Sequence, residues 1–318
     1  MAVGNSVPIR RSNLRAWLEL IRLPRLLAVA AAPLAGAIIA GAGWPHAHMI
    51  LALMAASAAL WAGGSVLGDW ASVKDDLIRR PERPLPAGRI RPWPALAVGV
   101  GLLVAGGTFA ATPAPACSQI GLVLIAIICL ARILLRGLPG QYILDGVYSS
   151  FNLLLGMALV PLAASAAQVG LRVYLLVAVG VYALGTVLLE QSEVHRYRPR
   201  RLAAIALAIV LASVAVAALP ILLRPAATCL IGMVWTTLLL AAVGYRLTQA
   251  ALTPSGLAVS KAIRTASFGS VLLCAAAVAY MCHPWWSLAV AVLVVPAVWS
   301  ERYLRVVRTM KTQGYEGT

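Results

Sequence analysis

The sequence predicts an all-α integral membrane protein, a bundle of nine to ten transmembrane helices with ten preferred. Hydrophobic residues make up 61% of the 318 residues and charged residues only 11%. The mean hydropathy is +0.88. A soluble domain of this length would need about a quarter of its residues charged to cover its surface. Composition therefore excludes an ordinary soluble enzyme.

Apolar runs of about 20 residues, the length that crosses a bilayer as a helix, recur along the chain. The predicted spans lie near 26–43, 49–67, 93–112, 117–135, 143–164, 172–189, 202–223, 226–245, 265–282 and 285–300. The last two are short and are separated only by His283 and Pro284. A bundle of nine spans is therefore the alternative.

The distribution of lysine and arginine favours ten spans. These residues concentrate before the first span, after the last span and in the even-numbered loops, whereas the odd-numbered loops hold only Arg172 and Arg224. Basic residues stay on the cytoplasmic side of a membrane. We therefore expect a multi-pass protein of the cell inner membrane with both termini and the even-numbered loops, which carry the polar residues, in the cytoplasm.

We expect one transmembrane domain over residues 1–318. Residues 1–25 form a basic, amphipathic cytoplasmic lead-in that we expect to lie in the headgroup layer, and residues 301–318 form a cytoplasmic tail. A net charge of +16 would indicate nucleic acid in a soluble protein. Here the charge follows membrane topology, so we expect the lipid bilayer and no nucleic acid as a partner. The five cysteines lie in or beside apolar runs without a CxxC pair, as packing residues do.

One polar segment, residues 63–91, lies between the second and third predicted spans. It holds four of the ten acidic residues, Asp69, Asp75, Asp76 and Glu82. It also holds six basic residues, Lys74, Arg79, Arg80, Arg83, Arg89 and Arg91. Carboxylates hold divalent cations, and arginines hold the phosphates that such cations neutralise. The segment suggests a site for a lipid diphosphate at the membrane edge; a solvated loop with surface ion pairs is the alternative.

The order of residues in this segment resembles the UbiA superfamily of membrane prenyltransferases. Asp69 and the pair at 75–76 resemble the family's first aspartate-rich motif, and residues 83–90, Arg-Pro-Leu-Pro-Ala-Gly-Arg-Ile, match its tail closely. Gly68 stands where the family has asparagine, and Ser72 stands where it has a middle aspartate. The resemblance implies a UbiA-like helical bundle around a central cavity open to lipid. Part of the chain also resembles the divergent EboC-like branch, through Leu-Glu-Gln-Ser-Glu-Val-His at 189–195.

The resemblance implies a magnesium site that bridges a prenyl diphosphate. Its ligands would be Asp69 and Asp76, with Glu190 and Glu193 replacing the family's second aspartate motif. Glu190 and Glu193 keep an i, i+3 spacing, which places two carboxylates on one helix face. Catalytic roles are implied for Asp69, Asp76 and Glu193.

Contacts to the substrate are implied for a second group of residues: Lys74, Arg79, Arg83, Arg136, Asn152 and His195. For each basic residue, a role as a topology anchor is the alternative. Asn152, within an Asn-x-x-x-Gly pattern that the family shares, would make either a substrate contact or a structural hydrogen bond between helices. His195 would be a weak general base, a phosphate donor or a polar surface residue.

We therefore expect a UbiA-type prenyltransferase, which transfers a prenyl group from a polyprenyl diphosphate to an unidentified acceptor by magnesium-assisted ionisation. The altered motif positions, Gly68, Ser72 and the two glutamates, motivate an alternative from another class: a non-catalytic membrane carrier of a lipid or metabolite precursor in an export pathway. A secondary transporter is a third possibility. It would need charged residues at midspan, and the sequence places nearly every ionisable residue at the cytoplasmic edge.

Overall fold

The computed structural model describes residues 14–160, 166–192, 199–218, 229–253 and 255–313. The described residues form helices joined by short loops, with no strand among them. The helices are α1 Leu14–Leu20, α2 Leu23–Ile39, α3 Ala47–Ala71, α4 Val73–Arg79, α5 Pro92–Ala111, α6 Pro115–Cys129, α7 Pro139–Met157, α8 Ala166–Ser192, α9 Pro199–Ala217, α10 Cys229–Leu252, α11 Gly256–Met281, α12 Trp285–Ala291 and α13 Val294–Gln313. A 3₁₀ helix, Trp44–His46, precedes α3, and a π-helical turn, Leu130–Leu134, follows α6.

The chain is a multi-pass membrane protein, but the predicted count of nine to ten spans is not confirmed. Among the described residues, six helices are long and apolar enough to cross a membrane, or seven if the bent pair α1–α2 is one span. The remaining predicted spans coincide with α7, α9 and the pair α12–α13. These helices are shorter or more polar: α7 carries Asp145 and Asn152, and the apolar part of α9 covers only Ala204–Val216.

The long helices pack in chain order into a closed ring. Each of α2, α3, α5, α6, α7, α8, α9, α10 and α11 contacts the next, and α11 returns to α2. Helix α2 also packs directly against α7, which divides the ring in two. One hydrophobic core lies on each side of this α2–α7 contact. The two helices are therefore shared by both halves of the bundle.

Two glycines allow the backbones of α2 and α7 to touch. A Cβ atom on Gly36 would lie 2.1 Å from the backbone oxygen of Leu153, and one on Gly156 would lie 2.0 Å from that of Pro33. Small residues permit such close crossings in lipid, where no hydrophobic force drives helices together. Gly156 belongs to the Asn-x-x-x-Gly pattern of the sequence, and its role here is to let α2 approach.

At the same crossing, the carbonyl of Val29 accepts hydrogen bonds that replace the one that a proline removes from the helix. Pro33 lies inside α2 and has no N–H, so the carbonyl of Val29 loses the hydrogen bond that residue 33 would give it. Asn152 Nδ2 donates to this carbonyl oxygen at 3.0 Å, and Ser57 Oγ donates to it at 3.3 Å. Asn152 thus makes the interhelix hydrogen bond that was one of its two predicted roles.

Helix α1 rests on the polar segment between α3 and α5. Its buried residues Ala16 and Leu20 share a small apolar core with Leu85 and Ile90 of that segment. Glu19 of α1 also forms an ion pair with Arg89 at 2.9 Å. Helix α1 therefore covers the segment that carries the candidate site.

We predict that Gly156→Ala destabilises the protein, because the new methyl group meets the backbone of α2, which cannot rotate away as a side chain would. The expected loss is about 1–3 kcal/mol, the usual range for overpacking. Thermal unfolding in detergent would show a lower midpoint. The matched control is Gly101→Ala on α5, where an added Cβ meets nothing within 4 Å. Equal midpoints for the two variants would contradict this account of the crossing.

Candidate functional site

A break in the helix after the second predicted span positions the two aspartates of the first motif. Helix α3 ends at Ala71 and α4 begins at Val73, with Ser72 between them. Asp69 lies in the last turns of α3, and Asp76 lies in α4. Both side chains are buried. The break turns the carboxylates towards a common partner in the loop that follows.

That partner is Arg83, the arginine of the Arg-Pro pair. Its Nη1 donates to Asp69 Oδ1 at 3.2 Å and to Asp76 Oδ2 at 2.8 Å. Ser72 Oγ donates to the same oxygen of Asp76 at 2.9 Å. Two buried carboxylates therefore converge on one positively charged nitrogen. Ser72, which stands where the family has an aspartate, orients Asp76 through a neutral hydroxyl.

The loop holds Arg83 by its own turn and packing. The backbone N–H of Ala87 donates to the carbonyl of Arg83 at 2.9 Å. Gly88 closes the turn with a φ of 66°, a left-handed conformation that glycine adopts without strain. Pro84 and Leu85 are buried, and Leu85 packs in the same apolar cluster as the residues of α1. These features explain why the Arg-Pro-x-x-x-Gly tail accompanies the aspartates in the sequence.

A second arginine, Arg22, also reaches Asp69. Its Nη2 lies 3.1 Å from Asp69 Oδ1. Arg22 lies between α1 and α2, and the attraction of Asp69 raises the pKa of its guanidinium against the opposing effect of burial. Glu190 and Asp145 raise the same pKa further. Acidic groups of three helices, α3, α7 and α8, thus act on this one arginine.

Two further ion pairs complete the charged end of the bundle. Arg25 of α2 contacts Glu190 of α8 at 2.7 Å. Arg132, on the π-helical turn, contacts the buried carboxylate of Asp145 in α7 at 2.8 Å. Arg22, Arg25 and Asp145 were not predicted as site residues. Arg22 and Arg25 belong to the basic lead-in that was expected to lie in the headgroup layer, and Asp145 is an acidic residue near the start of the fifth predicted span.

The remaining predicted residues lie away from the buried pair or outside the described residues. Lys74 is exposed, and Arg136 forms an ion pair with the exposed Asp75. Nothing is described of the side chain of Arg79. Glu193 and His195 lie outside the described residues, so their predicted roles stay predictions.

The donor set is compatible with magnesium at Asp69 and Asp76. Carboxylate oxygens are the ligands that this cation prefers, and both groups already converge on a cationic nitrogen. No group of three or more histidine, cysteine, aspartate or glutamate side chains gathers as a metal cluster within the described part of the chain. A cation at the pair would therefore compete with Arg83, and Glu190 would first have to leave Arg25.

Comparisons with known proteins give partial sequence matches. No family model matches the chain. A digeranylgeranylglyceryl phosphate synthase from Methanothrix thermoacetophila is 30% identical over 122 residues, which cover 38% of this chain and 46% of the relative. The synthase of the same name from Ignicoccus hospitalis is 37% identical over 95 residues, 30% of each chain. The chain therefore matches less than half the length of these curated relatives.

Solved structures match over most of the chain and show the fold. An apo UbiA homolog from Aeropyrum pernix K1 has a TM-score of 0.61 and 18% identity, covering 77% of this chain and 96% of its own. A UbiA homolog from Archaeoglobus fulgidus bound to GPP and Mg²⁺ has a TM-score of 0.57 and 13% identity, covering 81% and 99%. The fold of this chain is therefore that of a UbiA-like helical-bundle membrane protein.

The chain shares the fold of solved UbiA homologs, and part of its sequence is similar to digeranylgeranylglyceryl phosphate synthases, which agrees with the resemblance of its aspartate segment to the UbiA superfamily. The resemblance to the EboC-like branch is not confirmed by these relatives and stays a prediction.

We predict that Arg83→Gln makes the protein less stable but more responsive to magnesium. Without this guanidinium, Asp76 keeps only the hydroxyl of Ser72 and Asp69 keeps only Arg22, which costs about 1–3 kcal/mol for a partly exposed arginine. Magnesium can then take the position that Arg83 vacates without competing with this arginine. Thermal unfolding with and without Mg²⁺ would show a larger stabilisation by the metal in this variant than in the wild type.

The charge-matched control for this test is Arg91→Gln, because Arg91 is an exposed arginine of the same segment. It should respond to Mg²⁺ as the wild type does. A magnesium effect of equal size in Arg83→Gln and the wild type would show that the metal does not use this pair.

Proposed function

We propose that the protein is a prenyltransferase that transfers a prenyl group from a polyprenyl diphosphate to an acceptor with the help of magnesium. The observation that carries the proposal is the buried pair Asp69 and Asp76, whose oxygens converge on Arg83 Nη1 at 3.2 and 2.8 Å. The relatives named digeranylgeranylglyceryl phosphate synthase support prenyl transfer. A fold neighbour bound to GPP and Mg²⁺ supports the donor and the metal.

Asp69 and Asp76 would hold the metal, with Glu190 and Glu193 as the proposed second pair. Bound magnesium would supply positive charge that neutralises the diphosphate as a leaving group. When the carboxylates turn to a cation, Arg22 and Arg83 lose their partners. A guanidinium forms strong, charge-assisted hydrogen bonds to phosphate oxygens. The two arginines would therefore exchange their hydrogen bonds to aspartate for hydrogen bonds to diphosphate as the prenyl donor binds.

The transfer itself exchanges one bond at the first carbon of the prenyl chain. The bond from this carbon to the diphosphate oxygen breaks and its electron pair leaves with the diphosphate. The acceptor nucleophile forms the new bond to carbon and releases its proton. The work of the site is to stabilise charge on the leaving group, which is the largest contribution in reactions of this kind.

The other predicted contacts would act at the rim. Lys74 and Arg136 would contact a diphosphate only if it extended towards the exposed face. Arg136 would then leave Asp75 and bind a phosphate oxygen. Asn152 already donates to Val29, so we propose that it acts mainly by fixing α2 against α7. Arg79 and His195 stay proposed donors to the diphosphate.

We also propose that the protein lies in the inner membrane, with the charged end of the bundle on the cytoplasmic side. The support is the excess of lysine and arginine in the loops and termini at that end. Soluble prenyl diphosphates would then reach the site from the cytoplasm. No contact in the described residues favours the alternative of a non-catalytic carrier.

We predict that Asp69→Asn and Asp76→Asn each lower magnesium-dependent release of diphosphate by about a hundredfold or more, because neutral amides cannot hold the cation that stabilises the leaving group. The assay is diphosphate release by purified protein in lipid nanodiscs, supplied with geranyl, farnesyl and longer prenyl diphosphates and with a membrane extract as the source of acceptor. Chelation of magnesium should abolish release by the wild type.

The control for these variants is Glu82→Gln, which removes an exposed carboxylate from the same segment and should leave the rate unchanged. Release that survives in both aspartate variants, or that persists without magnesium, would rule out the proposed chemistry.

A further inference from the structure

Arg172 is a cation at the end of the bundle opposite the candidate site. It lies in α8, whose residues Gln168–Gln191 are long and apolar enough to cross a membrane. Near the other end of α8, Glu190 pairs with Arg25 at the charged end. At about 1.5 Å per residue, Arg172 lies roughly 27 Å from Glu190 along the helix, which is close to the thickness of a bilayer's hydrocarbon core. Arg172 therefore lies at the other membrane edge, which we call the far end.

Tryptophans mark the far end as a membrane interface. Helix α2 begins at the charged end and ends at Ile39, so the residues that follow it lie at the far end. There the ring of Trp44 contacts the ring of Trp286, with centroids 5.6 Å apart, and both Trp44 and Trp285 are exposed. Tryptophan is enriched where a bilayer meets water. The far end therefore lies at the level of the lipid headgroups.

The guanidinium of Arg172 has no partner in the described part of the chain. Its Nη1 is buried and makes no hydrogen bond, and the side chain as a whole is half-buried. At the charged end, by contrast, Arg25, Arg83 and Arg132 each pair with a carboxylate. A charge that is partly withdrawn from water and has no counter-ion destabilises a structure. Such a residue in a membrane span marks a site where something else compensates it.

The chain has no carboxylate at the far end to serve as this counter-ion. Helices α9 and α11, which pack against α8, contain no aspartate or glutamate. The acidic residues of α7 and α8, Asp145 and Glu190, already pair with Arg132 and Arg25. The helix connections at the far end also lack acidic residues; they are 40–46, 112–114, 158–165, 218–228 and 282–284. A counter-ion for Arg172 would therefore have to come from outside the chain.

The surroundings of Arg172 favour the phosphate of a lipid as that counter-ion. Guanidinium groups form strong, charge-assisted hydrogen bonds to phosphate oxygens, and headgroup phosphates lie at this level of a bilayer. Beside Arg172, the exposed side chains of Val169, Val173 and Val177 repeat every four residues, so they line one face of α8. This apolar stripe runs from the far end towards the middle of the membrane, as an acyl chain does. A free ion would make no use of the stripe.

We propose that Arg172 binds the phosphate of an anionic phospholipid in the leaflet at the far end. The accessible side of the guanidinium donates to the phosphate oxygens. Because the positive charge is delocalised over the guanidinium, this contact also compensates the charge on the buried Nη1. An acyl chain of the lipid lies along Val169, Val173 and Val177. The lipid is a stabilising neighbour and not a substrate, so the inference does not depend on the proposed prenyl transfer.

The test measures thermal unfolding of the full-length protein in detergent after removal of lipid. The probes are phosphatidylglycerol, phosphatidylcholine with the same acyl chains, and inorganic phosphate. We expect phosphatidylglycerol to raise the midpoint of the wild type by about 2–4 °C more than phosphatidylcholine does, the usual effect of one favourable interaction in a protein of this size. Inorganic phosphate should leave the midpoint unchanged, because it lacks acyl chains.

Arg172→Met removes the charge and keeps an apolar side chain in its place. Without lipid, its midpoint should equal or exceed that of the wild type, because no unpaired charge is left. It should also lose most of the preference for phosphatidylglycerol, whereas Arg172→Lys should keep part of it. The charge-matched control, Arg302→Met, removes an exposed arginine of α13 and should keep the full preference.

Four outcomes would overturn the proposal. The wild type could show no preference for phosphatidylglycerol, or Arg172→Met could keep the full preference, which would mean that water solvates the guanidinium. A midpoint of Arg172→Met that is lowered equally with and without lipid would show a role in helix packing alone. Equal stabilisation by inorganic phosphate would show a site for a free ion. Asp69→Asn should keep the lipid preference, so a failure of the proposed prenyl transfer is measured separately.

Discussion

The charged end of the bundle depends on one constraint, which is that its buried carboxylates must be compensated. A buried carboxylate is tolerated only when cations and hydrogen bonds compensate for the loss of water. Asp69 and Asp76 meet this demand through Arg83, and Asp69 also uses Arg22. The loop turn, the break after α3 and the docking of α1 all bring these arginines to the carboxylates. In the proposed function, a metal would replace the arginines at the carboxylates, and a diphosphate would replace the carboxylates at the arginines.

The crossing of α2 and α7 supports this arrangement from within the membrane. Arg22 and Arg25 stand at the start of α2, so the position of α2 sets where both guanidinium groups lie. Gly36 and Gly156 let the two backbones touch. Asn152 gives the carbonyl of Val29 the hydrogen bond that Pro33 cannot give. A shift of α2 would break the hydrogen bond between Asn152 and Val29. It would also displace Arg22 and Arg25. Helix packing and site electrostatics are therefore coupled through one element.

The sequence predicted the parts of this structure that depend on local pattern. Hydropathy located the helices, and the resemblance to the UbiA superfamily singled out Asp69, Asp76 and Arg83. It could not predict pairings across the fold, since the partners of Asp69 and Asn152 depend on which helices meet: Arg22 lies 47 residues before Asp69, and Val29 lies 123 residues before Asn152. Asp145 was not predicted because it belongs to no recognised motif, and its contact with Arg132 forms only when the helices pack. The predicted number of spans was not confirmed at helices that contain polar residues, such as α7.

The long sequence separation of these contacts also constrains the order in which the protein assembles in the membrane. Helix α2 emerges from the ribosome before the other long helices, yet it packs against α7 and closes the ring with α11. The thiol of Cys282 reaches the carbonyl of Ile38 across 244 residues. Until α7 is inserted, the carbonyl of Val29 lacks Asn152 as its donor. Among the described long helices, the earliest to be made is thus among the last to complete its contacts, and a ribosome stalled before α7 would leave α2 with α3 but without α7 and α11.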